Sequence, residues 1–269
     1  MNAQNQARQL TLFNQLIGLN PSVAQLFELA KDVPYLEHVT CAEILRRDLS
    51  AWDLHHVVER FPFGRVDAGR RLLAIGAIHA VFVAEHVPEL AEKALAMLTE
   101  LRESGRDEFS ASFASDDSIA HLVSKAPAIS ERAWKMVRKN PKVSVMRLLT
   151  MEPDTPRDVS LQAASDLLDL YEDGSQVEQV EALLQGTQVD GALWSQVVDD
   201  CMFIIRVHPS LRERAAAIVM DHFRSDADLR YVHRHVPEYR EIVEEMFEDP
   251  VRSLMEQMRD LAKKREETS

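Results

Sequence analysis

The chain has 269 residues, 46% of them apolar, 6% aromatic and only eight glycine, which is enough apolar material for an extensive core. Ala, Leu, Val, Glu and Arg dominate, a vocabulary that favours helix and points to an all-α protein. The 31 basic and 44 acidic residues give a formal net charge of −13, which argues against DNA, RNA or an anionic membrane as partner and leaves proteins and peptides.

The N-terminal MNAQNQARQLTLF has no basic segment followed by an apolar run, so no secretory signal is expected. No run of about 18 apolar residues predicts a membrane span, and a cytoplasmic location follows as the expectation. A polar helix ends near Leu19. Asn20-Pro21 then reads as an N-cap with proline at the first helical position, and Val23, Leu26, Phe27 and Ala30 give the stripe of a buried helix face.

From there prolines mark helix starts at Pro34, Pro62, Pro88, Pro127, Pro153, Pro209 and Pro237, with separations of 28, 26, 39, 26, 56 and 28 residues. The gap of 56 is twice 28, and Gln185-Gly186-Thr187 stand roughly where the missing proline would fall. The gap of 39 contains SGRDEFSASFASDDS at 104–118, whose Ser/Asp/Gly composition predicts an inserted loop. Ser210 with Glu213 and Thr155 with Asp158 have the spacing of capping boxes, while Asn140-Pro141 and Asp249-Pro250 repeat the cap-then-proline arrangement. A hairpin of two short helices every 27 or so residues cannot bury its apolar stripes alone, so neighbours must stack. The expected architecture is an α-solenoid, a superhelical stack of helical hairpins forming one repeat domain over 1–269. Its amphipathic last segment, 250–267, would serve as a capping helix or as a dimerising one.

VHPSLRERAAAIVMDHFRSDADLRYV, with its His-Pro-Ser-Leu start, apolar helix and Asp-Ala-Asp-Leu-Arg finish, resembles the short bacterial HEAT-type and leucine-rich-repeat-variant repeats. KAPAISERAWKMVRKNPKVSVMRLL is similar in layout, and the likeness is concentrated in 120–269. The resemblance implies a HEAT-like fold, and such arrays mostly bind macromolecules. The leucine-rich-repeat-variant type can carry an iron–sulfur cluster on clustered cysteines; Cys41 and Cys201 lie far apart, so that feature is not carried over.

Two basic clusters stand out in this acidic chain. Arg132, Lys135, Arg138, Lys139, Lys142 and Arg147 fall within ERAWKMVRKNPKVSVMR, and Arg132, Lys135 and Lys139 share a helix face opposite Ala133, Trp134 and Val137. That stripe suits an acidic peptide or phosphate, or is a solvated face balancing the acidic 152–181. Arg60, Arg65, Arg70 and Arg71 surround Phe61-Pro62-Phe63-Gly64, where the phenylalanines are either interface anchors or core. Trp52, Trp134 and Trp194 occupy comparable helix positions and are expected to pack.

His208, His222, His233 and His235, with Asp221, Asp226 and Asp228, lack metal-ligand spacing, and His55-His56-x-x-Glu59 and His38-x-x-Cys41 lack a third ligand. No nucleophile elbow, reactive-cysteine motif or phosphate loop is present, so no catalytic residue, metal or cofactor is expected. Glu241, Glu244 and Glu245 read as a charged outer face. The sequence therefore predicts a non-enzymatic scaffold or adaptor binding a protein or peptide, one form of which is an acidic inhibitor or immunity-type protein. The alternative is a HEAT-like DNA-processing enzyme of the glycosylase class, with Trp134, Arg138 and Trp194 lining a channel.

Overall fold

The computed structural model describes residues 3–104, 113–174, 192–223 and 225–247, with side chains from residue 8 and, after the second gap, from residue 195. These residues form fifteen α-helices, and there is no strand among them. The chain divides into two compact units, Met1–Lys139 and Asn140–Ser269.

Unit 1 contains α1 (Ala3–Gly18), α2 (Val23–Asp32), α3 (Glu37–Leu45), α4 (Ala51–Arg60), α5 (Arg65–Ile75), α6 (Ala80–His86), α7 (Ala91–Ser104), α8 (Asp116–Lys125) and α9 (Ser130–Arg138). Unit 2 contains α10 (Val143–Met151), α11 (Arg157–Asp173), α12 (Ala192–Val207), α13 (Arg212–His222), α14 (Asp226–His235) and α15 (Arg240–Phe247). From α2 onward the helices pack in consecutive pairs: α2 with α3, α4 with α5, α6 with α7 and α8 with α9, then α10 with α11, α12 with α13 and α14 with α15.

The turn inside each of these pairs is the same. The residue before proline (Val33, Phe61, Val87, Ala126, Glu152, His208 or Val236) closes the first helix by donating its N–H to the carbonyl four residues back. Its own carbonyl then accepts from the N–H two residues beyond the proline, at Leu36, Gly64, Leu90, Ile129, Thr155, Leu211 or Tyr239. Proline dictates this geometry twice. Its ring bars the preceding residue from the helical region, and five of those residues sit near φ −120° and ψ 80° (Val33, Val87, Ala126, His208 and Val236). Its missing N–H costs nothing at the start of the next helix.

First helices start differently. Ser22 forms a capping box with Gln25 and Ser50 one with Asp53; Ser115 accepts from the Ser118 N–H at 3.2 Å, and the Ser225 N–H donates to Asp228 at 3.2 Å. The caps expected at Ser210 and Thr155 are not found: α13 starts from Leu211 and α11 from Pro156, neither with a side-chain cap, because a proline turn already delivers the chain into helix. The Asn20-Pro21 start also moves. Ser22 is the cap, and Asn20 instead adopts φ +55° at the end of α1, a left-handed conformation that asparagine tolerates. Lys142, not Asn140, precedes α10.

The core repeats with the turns. Leu54, Val57, Val58 and Phe61 are buried in α4 and its turn, and Ala80, Val83, Ala84 and Val87, each 26 residues on, are buried in α6 and its turn. In unit 2, Cys201, Ile204 and His208 stand 28 residues before Leu229, Val232 and Val236, and all six are buried. Cys201 is thus one small apolar member of the repeat. Between successive pairs, Arg65 binds Glu89 at 2.7 Å and Arg212 binds Glu238, in both cases three residues after one turn proline to one residue after the next.

Of the stretch 104–118, Ser104 ends α7, Ser115 caps α8 and Asp116-Asp117-Ser118 make its first turn, with Asp116 held by Arg102 at 2.6 Å. The helix therefore starts earlier than the composition suggested, since Ser and Asp are cap and first-turn residues as well as loop residues. Residues 105–112, Gln185–Thr187 and the predicted 250–267 helix lie outside the described residues.

Candidate partner-binding surfaces

The 60–71 cluster separates into one core ring and one exposed ring. Phe61, at the residue before proline, is fully buried and stacks on Phe27 at 5.7 Å between centroids, with the Arg60 guanidinium over its face at 5.7 Å. Phe63, one residue past the proline, is 67% exposed and leans on the His38 ring at 4.9 Å. It stands at the mouth of a cleft of about 340 Å³ between α3 and α5, with Cys41 and Gly64 among its lining and Arg46, Asp67 and Arg71 around it.

Each arginine of this cluster already has a local role. Arg65 holds Glu89, Arg70 lies 3.4 Å from Asp67, and Arg71 donates to the Leu45 carbonyl at 2.6 Å, capping the C-terminus of α3. The Arg71 charge is thereby fixed at the cleft wall by the carbonyl end of a helix. Burial, then the nearby Glu37 and Asp67, pushes the Cys41 thiol up to about 11, so it stays protonated and serves as lining and not as a nucleophile.

Gly64 is required by close approach: a Cβ there would lie 2.4 Å from the Cys41 sulfur and 3.0 Å from Leu45. Gly64→Ala is expected to destabilise the chain by about 1–3 kcal/mol through overpacking. Adding Cys41→Ala should recover much of that loss in chemical denaturation, because the sulfur is the atom in the way; an unchanged loss would place the strain elsewhere.

In the other cluster, Ala133, Trp134 and Val137 turn into the core of α9, while Arg132, Lys135, Arg138 and Lys139 are exposed. Arg132 pairs with Glu92, Lys135 with Glu131 at 2.6 Å, and Arg138 lies 5.4 Å over the Trp134 ring. Exposed pairs of this kind hold their partners weakly. Lys142 is exposed just before α10, and Arg147, on α10, bonds Asp200 at 3.0 Å; both belong to unit 2. The six cations are therefore spread over two units, four of them on α9 and its end.

Asp200 is a buried acid that sequence reasoning missed. It is fully buried on α12 and accepts from Arg147 of α10 (3.0 Å), the Tyr171 hydroxyl of α11 (2.6 Å) and Gln196 (2.8 Å). Burial and the adjacent Asp200 raise the Tyr171 pKa, which keeps the phenol a donor. The apolar surroundings in DDCMFII were the available signal: a carboxylate next to Cys201 on a core stripe needs partners.

Trp52 also departs from expectation. It is 71% exposed and meets His56 edge-on at 4.6 Å, whereas Trp134 is only 5% exposed. The Ser50/Asp53 capping box fixes the start of α4 and puts Trp52 in the first turn, ahead of the first buried residue, Leu54. For Trp194 only the helical backbone is described.

The histidines of 203–250 are dispersed: His208 is buried against Ser160 (3.3 Å), His233 meets Glu244 (2.9 Å) and His235 packs on Tyr231. Among the described residues no group of three or more His, Cys, Asp or Glu could hold a metal ion. Likewise, no described helix is long and apolar enough to cross a membrane. No family model matches the chain, and no curated protein or solved structure matches it either.

Proposed function

We propose that the chain is a non-enzymatic, cytoplasmic scaffold of HEAT-like helical repeats, whose hairpins stack as an α-solenoid and whose first unit binds a protein or peptide partner. The observation that carries this reading is Phe63: a large ring left 67% exposed beside a cleft with Arg46 and Arg71 on its walls. Aromatic and arginine side chains gathered around a pocket are the composition of interface anchors. The recurring proline turn and the pair-to-pair arginine–glutamate bridges support the stacked-repeat part of the proposal.

A photo-crosslinking side chain in place of Phe63 is expected to capture one protein or peptide species in cells, and Arg46→Glu in the same background to abolish that capture. Indiscriminate labelling insensitive to Arg46→Glu would refute the cleft as a binding site. Salt-dependent gel shift of duplex DNA would instead support the DNA-processing alternative.

The α9 cations supply a second test. Lys135→Glu with Lys139→Glu should leave folding intact, since both residues are exposed. Binding of the captured partner should weaken several-fold and lose much of its salt dependence. Unchanged affinity and salt slope would make this face a solvated one.

A further inference from the structure

Rings join the second and third helix pairs of unit 1. His55 lies on α4, and His79 ends the short 3₁₀ turn Ala77–His79 that leads into α6. The His55 Nε2 and His79 Nδ1 atoms are 3.1 Å apart and the two rings meet edge to face. A hydrogen bond between two imidazoles needs a proton on one facing nitrogen and a lone pair on the other. Protonation of both leaves two N–H groups and two positive charges face to face. Phe82 packs on His55 at 4.0 Å and is itself stacked on His86 at 4.3 Å, so the contact is part-buried within a cluster of rings.

We propose that the His55–His79 contact is a pH-sensitive latch between the second and third helix pairs, closed while both imidazoles are neutral and opened when both are protonated.

The surrounding charges favour opening in acid. On α4, His56 is the next residue and Glu59 lies one turn on, 3.9 Å from His56; Glu59 is the one acid that favours the charged form of His55. On α6, His86 bonds the Phe82 carbonyl, and Glu85 is engaged by His121 of α8 at 3.1 Å. The charged groups of α5 are held elsewhere: Arg65 by Glu89, Arg70 by Asp67 and Arg71 by α3. Phe27, the α2 residue that touches His56, carries no charge. Burial first, then His79, lowers the pKa of His55, and burial lowers that of His79. A base whose pKa is lower in the folded state gives stability that is complete above the ordinary histidine value, about 6.5, and is lost as pH falls from there through the folded values.

The experiment is an imidazole ¹⁵N titration of the wild-type chain, with amide hydrogen exchange in α4 and residues 77–82 at about pH 7.5 and 5.5. His55 and His79 are expected to titrate below the ordinary value and to show one protonated and one bare facing nitrogen when neutral. Exchange protection, corrected for intrinsic rate, should fall about tenfold or more in acid. His79→Gln supplies an amide that bonds His55 and does not titrate, and should cut that fall to about threefold or less. Independent titration of both rings at the ordinary value, or an equal fall in His79→Gln, overturns the proposal. The wild-type titration decides by itself if the variant does not fold.

Discussion

Asp200→Ala is expected to destabilise unit 2 by about 2–4 kcal/mol, from one buried hydroxyl left unsatisfied and the small cavity beside it. The Arg147 side chain is 40% exposed and can turn to solvent when its partner goes. Most of the loss therefore falls on the Tyr171 hydroxyl, left buried without its 2.6 Å acceptor, and on the space the carboxylate filled. Asp200→Asn keeps an acceptor oxygen and the shape, and should cost about 1–3 kcal/mol. Hydrogen exchange read on α10 to α13 separates these losses from the behaviour of unit 1. An Asp200→Ala loss below that of Asp200→Asn would mean that the carboxylate is a burden on the fold and not its tie.

Phe61→Ala should cost about 3–5 kcal/mol, whereas Phe63→Ala, two residues away, should change stability by less than about 0.5 kcal/mol. Phe61 is fully buried against Phe27, and its truncation leaves a ring-sized cavity in the second pair; Phe63 is 67% exposed and its loss opens none. Thermal unfolding of the two variants beside wild type measures the contrast. Similar losses at both positions would show that Phe63 packs in solution and would remove it as a partner anchor.

The placement of the turns was legible in the sequence because proline acts locally. Its ring constrains its own residue and the one before it, so Pro34, Pro62, Pro88, Pro127, Pro153, Pro209 and Pro237 each mark the turn into the second helix of a pair. The first helices were harder to read, since serine, asparagine and aspartate serve caps, first turns and loops alike. Ser210 and Ser50 both stand three residues before an acid, yet only Ser50 caps a helix, and the proline just before Ser210 is what separates them. The site was legible only in outline. The sequence placed arginines around Phe61 and Phe63 but could not say which ring faced out, because that depends on which side of the turn proline packs into the core, and only the fold shows Phe61 buried and Phe63 exposed. Asp200 and the His55–His79 contact depend on residues 24 to 53 positions apart, a range over which no local spacing rule operates.

The proline turns also bear on how the chain is made. Every hydrogen bond that defines such a turn spans no more than four residues. A turn can therefore close as soon as its own helices have left the ribosome, with no downstream sequence required. At about 5–20 residues per second of synthesis, a further pair emerges roughly every one to five seconds. Each has time to close its own turn while the rest of the chain is still untranslated.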